Sequence, residues 1–81
     1  MLIEYKKEFL KTISKIKHQE VKAQIKKQIE KIINAPEIGK PMRYNRKGTR
    51  QLYVAPYRLA YAYFPSENKI VFLDIYHKDE Q

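Results

Sequence analysis

The chain contains no cysteine and only two glycines among its 81 residues, and each shortage removes a class of chemistry. Without cysteine there are no disulfides and no thiolate metal sites, and a reducing cytosol is the simplest compartment. The two histidines, His18 and His77, lie far apart with no ligand spacing, so neither a metal nor another cofactor is expected. Two glycines cannot build a phosphate-cradling loop. Ser14 and Ser66 sit in no nucleophile elbow, and no pair of carboxylates has a plausible shared site. Long apolar runs are missing as well: none reaches the roughly 18 residues of a membrane span, and the opening MLIEYKKEFL lacks a signal-peptide core. The expectation is one small, soluble, cytoplasmic domain over residues 1–81 with no membrane partner, burying roughly 60% of its unfolded surface.

What is present is positive charge. Seventeen Lys and Arg against nine Asp and Glu give a formal +8 and a pI near 9.7, which favours a polyanionic partner such as nucleic acid, a ribosome or an acidic protein segment. The distribution says more than the sum. Residues 39–58 hold Lys40, Arg43, Arg46, Lys47, Arg50 and Arg58 with no acidic residue, and all four arginines fall there. The first 34 residues carry only lysine as their basic residue, the ordinary solvated surface of a helix. A guanidinium on a strand differs, because its planar fork can hold phosphate or carboxylate bidentately.

The periodicity sets out an α+β chain. Residues 2–5, LIEY, read as a short first strand. Phe9, Ile13 and Ile16 then recur at helical spacing with Leu10 widening the stripe, the pattern breaks near Lys17-His18-Gln19, and a cleaner series runs through Val21, Ile25, Ile29, Ile32 and Ile33. Asn34, suited to a helix C-terminus, and Pro36, which cannot continue a helix, end it. The two helices form a hairpin whose apolar stripes need a small, twisted, mainly antiparallel sheet to cover. After a loop with a proline-marked edge strand near Met42–Tyr44, the period changes to two: Arg50, Leu52 and Val54 lead into a turn at Ala55-Pro56. In the next strand Tyr57, Leu59, Tyr61 and Tyr63 share one face, and Arg58, Ala60 and Ala62 the other. The last strand, Lys69 to Tyr76, is apolar enough to be central.

A four-residue turn at Pro65–Asn68 suggests a register for the last two strands. Pairing Phe64 with Lys69 sets Tyr63 against Ile70, Tyr61 against Phe72, Leu59 against Asp74 and Tyr57 against Tyr76, all on the aromatic face under the helices. Arg58 then faces Ile75, and His77 lies beside it on the open face. Asp74 is a misfit on the aromatic face, and a slip of one residue reverses every assignment. The alanine-lined face is shallow, and Arg58 is the charge placed to meet whatever approaches it. Tyr44, Tyr53 and Tyr57 are of a type that stacks on exposed bases, although strand tyrosines more often pack.

RQLYVAPYRLAYAY followed by IVFLDIYHKDEQ resembles the RelE/ParE superfamily of toxins from type II toxin-antitoxin pairs. The pattern is an Arg-x-Leu strand, an Ala-Pro-Tyr-Arg turn, a Tyr-Arg-Leu-x-Tyr strand and an apolar strand ending in His-Lys. The preceding helical hairpin and basic loop agree in order and length, so the likeness covers essentially the whole chain. It implies a RelE-like fold, a cognate antitoxin partner in a toxin-antitoxin hetero-oligomer and, in the RelE branch, a ribosome-dependent, metal-free mRNA endoribonuclease that blocks translation. There the mRNA 2′-hydroxyl attacks the adjacent phosphate, which needs cations around the phosphorane-like oxygens and groups to move two protons.

By position, the resemblance assigns phosphate binding to Arg58, a basic strand position to Arg50 (or Gln51 in an ungapped alignment), and the C-terminal catalytic region to His77 and Lys78. Arg43, Arg46, Lys47, Arg50 and Arg58 are the implied RNA-binding set. Ribonuclease members often carry a functional tyrosine just past the last strand, where this sequence has Asp79, Glu80 and Gln81. Tyr76, the nearest, falls on the buried face in the register above. That leaves His77, an imidazole suited to either acid or base work. The bland alternative for Arg58 is an ion pair with Asp79 or Glu80. The same resemblance admits ParE-like inhibition of DNA gyrase, or a catalytically inactive basic protein that only binds RNA or a partner.

Overall fold

The computed structural model describes residues 1–42 and 48–80, the side chain of Glu80 apart. Arg43, Tyr44, Arg46 and Lys47 therefore lie outside the described residues. The elements run β1 (Leu2–Tyr5), α1 (Lys7–Lys15), α2 (Gln19–Asn34), β2 (Lys40–Pro41), β3 (Thr49–Val54), β4 (Tyr57–Phe64) and β5 (Lys69–His77). A 3-10 turn at Pro65–Glu67 joins β4 to β5, and another follows at Lys78–Glu80. The α+β architecture, with two helices against one sheet, is the one the periodicity predicts. An edge strand lies at Lys40–Pro41, with proline in it as the edge rule requires; of the expected Met42–Tyr44 stretch, Arg43 and Tyr44 lie outside the described residues. Helix α2 ends without a left-handed Asn34 cap: Ala35 closes it by donating its N–H to Lys31 O at 2.8 Å, and Pro36 follows.

The sheet order is β1-β5-β4-β3-β2. Strand β1 pairs parallel to β5, and every other pairing is antiparallel. The apolar β5 thus lies inside the sheet, between β1 and β4. Phe9 of α1 and Ile25 and Ile32 of α2 join Leu59, Tyr61, Ile70, Phe72 and Ile75 in one core on the helix side. Tyr5, Phe9 and Phe72 form its aromatic end, with Tyr5 stacked on Phe72 at 5.2 Å between centroids. No helix among the described residues is long and apolar enough to cross a membrane.

The β4–β5 register follows the predicted one only part of the way. Phe64↔Lys69, Tyr63↔Ile70, Ala62↔Val71 and Tyr61↔Phe72 pair as the turn length dictates. A bulge then leaves Leu73 without a partner and shifts the rest by one: Ala60↔Asp74, Leu59↔Ile75, Arg58↔Tyr76 and Tyr57↔His77. The bulge removes the Asp74 misfit. It sends the carboxylate to the helix-free side opposite Ala60, where its Oδ1 accepts the N–H of Ile75 at 2.8 Å, and it returns Ile75 to the core.

Candidate functional site

The helix-free face is built from alternate residues of three strands, because directly paired residues share a side. One row crosses the sheet as Tyr53, Arg58 and Tyr76, and the next as Gln51, Ala60 and Asp74. Thr49, Ala62 and Val71 form a third. Ala60 and Ala62 are buried without any helix over them, being the shortest side chains among longer neighbours. The face is therefore lowest along β4, next to Arg58.

Arg58 is half-buried, and its Nε is fully buried with no hydrogen-bond partner. An enclosed guanidinium N–H left unpaired is costly, and an oxyanion at the site would supply the missing acceptor. Of the two carboxylates weighed as ion-pair partners, Asp79 lies 3.6 Å from His77 Nδ1 instead, and the side chain of Glu80 lies outside the described residues; among those described, Arg58 forms no ion pair. Its guanidinium carbon stands 5.9 Å from the ring centre of Tyr53. Tyr76, its partner on β5, donates its hydroxyl proton to Gln51 Oε1 at 3.0 Å, which fixes the phenol across the same shallow floor. Lys78 joins from the last 3-10 turn. Its N–H donates to Pro56 O at 3.1 Å, pinning the end of β5 to the β3–β4 turn and setting the ammonium 6.0 Å from the Tyr53 ring.

Two residues expected in this cluster are elsewhere. Arg50 pairs with Tyr61, on the core side of the sheet, and its guanidinium donates to the carbonyls of Gly39 at 2.7 Å and Glu37 at 3.0 Å. It acts there as a strut for the segment after α2. His77 pairs with Tyr57, not beside Arg58, and makes an edge contact with the Tyr57 ring at 5.7 Å. The bulge is the physical reason, since one extra residue in β5 exchanges His77 for Tyr76 on the open face. Of the predicted set, Arg58 and Lys78 come together, and Arg43, Arg46 and Lys47 lie outside the described residues. Sequence reasoning left out Tyr76 and undervalued Gln51. The signal that finds them is the misfit itself: a carboxylate forced onto an aromatic face argues for a break in register just before it.

Arg50 also borders Tyr61, the one titratable group among the described residues with a clear shift. Tyr61 is fully buried, and its hydroxyl donates to Pro36 O at 2.7 Å and accepts from Gly39 N at 2.9 Å. Burial pushes this phenol above its ordinary 10.0, opposed by the Gly39 N–H and the Arg50 charge. Gly39 has to be glycine here: a Cβ would come within 2.7 Å of the Tyr61 hydroxyl and 2.8 Å of its ring. This knot holds the α2–β2 segment to the sheet and lies on the side away from Arg58.

The fold recurs in solved toxins. The chain superposes on the isolated RelE toxin of E. coli with a TM-score of 0.79 at 18% identity, covering 94% of this chain and 82% of that one. Against the YoeB/ParE toxin from Agrobacterium tumefaciens the values are 0.82 and 13%, covering 95% and 98%. For the RelB-RelE antitoxin-toxin complex from Methanococcus jannaschii they are 0.75 and 17%, covering 95% and 92%. At these identities the likeness establishes the fold alone. No curated protein sequence matches the chain. The family model for the ParE toxin of type II toxin-antitoxin systems matches residues 3–81, and the chain accordingly belongs to the RelE/ParE superfamily of type II toxins.

Proposed function

We propose that this toxin is a ribosome-dependent mRNA endoribonuclease whose scissile phosphate sits on the helix-free face against Arg58, and that a cognate antitoxin covers that face in the inactive pair. The observation that carries the reading is the buried, unpaired Nε of Arg58 beside an alanine floor, with a phenol paired directly across from it. In-line attack by the 2′-hydroxyl forms the 2′,3′-cyclic phosphate and breaks the bond to the 5′ oxygen. Arg58 holds the non-bridging oxygens as charge builds on them, and Lys78 adds to the positive field. Tyr76 donates its proton to the departing 5′ oxygen, and Gln51 holds the phenol in position beforehand. The 2′ proton leaves to water, since His77 is not on this face. Similar folds solved as antitoxin-toxin complexes support the antitoxin partner.

Mapping of mRNA 5′ ends by primer extension during expression tests this. New ends within translated messages are expected for the wild type, none for Arg58→Ala, and about 100-fold fewer for Tyr76→Phe, the scale of a lost general acid. A second reading, inhibition of DNA gyrase, is favoured by the description of the matching family and by the absence of Arg50 and His77 from the Arg58 face. Intact messages together with arrested replication would establish it in place of the first.

A further inference from the structure

Tyr53 is an exposed aromatic side chain of the open face whose hydroxyl makes no hydrogen bond among the described residues. It is 52% exposed and is the last residue but one of β3, beside the turn into β4. Strand β2 reaches only Arg50 and Gln51 on that edge, so among the described residues Tyr53 has a strand neighbour on one side alone, Arg58. The ring is thus open outward, and two cations have been brought to it from separate elements. Arg58 stands at 5.9 Å from β4 and Lys78 at 6.0 Å from the turn after β5, the latter held by its bond to the β3–β4 turn. The arrangement leaves apolar aromatic surface in water, next to a positive field. Single-stranded nucleic acid has the complementary form, a flat base attached to an anionic phosphate.

We propose that Tyr53 is a stacking platform for an unpaired nucleobase, and that Arg58 and Lys78 receive the phosphates attached to it. The inference rests on the reading of Arg58 as the phosphate-binding residue and adds to it a substrate requirement: the RNA must present a splayed, unstacked base beside the phosphate that Arg58 holds. Stacking on a phenol tolerates every base, because each has a π face, so this contact positions the strand without selecting its sequence. Tyr53 is a positioning residue in this scheme, since the phenol of Tyr53 takes no part in moving a proton.

The test is equilibrium binding of the wild-type toxin to a labelled single-stranded RNA of about eight nucleotides, within the site sizes usual for such grooves, and to the same strand with abasic positions. The wild type is expected to prefer the base-bearing strand. Tyr53→Ala is expected to lose about ten-fold in affinity for that strand, with little change for the abasic one, and Tyr53→Phe to restore the preference. Thermal melts of both variants check that the fold is unchanged, as expected for an exposed side chain. Equal binding of the two strands by wild type, binding of neither, or a preference retained in Tyr53→Ala overturns the inference. Because the readout is binding and not cleavage, the outcome is separable from the nuclease reading. Equal binding of both strands by a wild type that still cuts messages would remove the platform and leave the nuclease, whereas a base preference without cleavage would do the reverse.

Discussion

Two arginines eight positions apart do different work because they point to opposite sides of one sheet. Arg50 is spent on carbonyl groups: its bonds to Glu37 and Gly39 tie down the segment after α2. Arg50→Ala is expected to lower unfolding free energy by about 1–3 kcal/mol, the range for charge-assisted hydrogen bonds, while the surviving folded protein keeps its toxicity. Chemical denaturation alongside growth assays checks both halves. Arg58→Ala is expected to show the reverse profile, toxicity lost with stability held. Tyr61 belongs with Arg50. Tyr61→Phe strips Pro36 O and Gly39 N of their partner and should cost about 1–3 kcal/mol at neutral pH. The native phenol titrates above its unfolded value of 10.0, so the folded state holds this proton more tightly. Its contribution is complete below pH 10 and is lost as pH rises through the raised native value. The wild type should therefore lose its advantage over Tyr61→Phe on the alkaline side of pH 10, in melts taken as a pH series.

The elements were legible from sequence wherever a period was clean. Phe9, Ile13 and Ile16 give α1, the isoleucine series gives α2, and the four-residue turn fixes the first four β4–β5 pairs. The remainder of that register was hidden because a bulge has no composition signal of its own. Leu73 is a good strand residue, and nothing about it declares that it goes unpaired. Only Asp74 betrayed the break, by its poor fit to a face lined with Tyr61 and Phe72. The parallel partnership of β1 with β5 was equally invisible, since four residues carry no period and pairing between distant strands is a tertiary choice. In the structure Asp74 is more than displaced, because its carboxylate takes the Ile75 N–H next to the bulge. Asp74→Ala should cost about 1–2 kcal/mol by leaving that donor unpaired, and Asp74→Asn, which keeps an acceptor oxygen, should recover most of it. Urea titrations of the pair decide this, and an Asp74→Ala protein as stable as wild type would show that the bulge holds without the carboxylate.

At the scale of the molecule, charge and chemistry are separated. Between Lys6 and Asn34 the sequence holds nine lysines and three glutamates, so most of the net charge lies on the helical side, while Arg58 waits on the other. The helical lysines form no ion pairs among the described residues and act as a diffuse field. Lys27→Gln with Lys31→Gln is expected to weaken RNA association at low salt, with the gap closing as salt rises, and to leave cleavage positions where they were. One consequence of the topology concerns how the toxin comes into being. The outermost strand, β1, precedes both helices in the chain and has no neighbouring strand until β5, which follows every other strand described, takes its place in the sheet. A nascent chain short of β5 has neither Phe72 to close its aromatic cluster nor Tyr76 opposite Arg58, and helices this short are marginal in isolation. Closure of the sheet and of the open face is thereby a late event that waits on β5. A chain interrupted before β5 is accordingly expected to be inert in growth assays, since neither the core nor the Arg58–Tyr76 pairing can form.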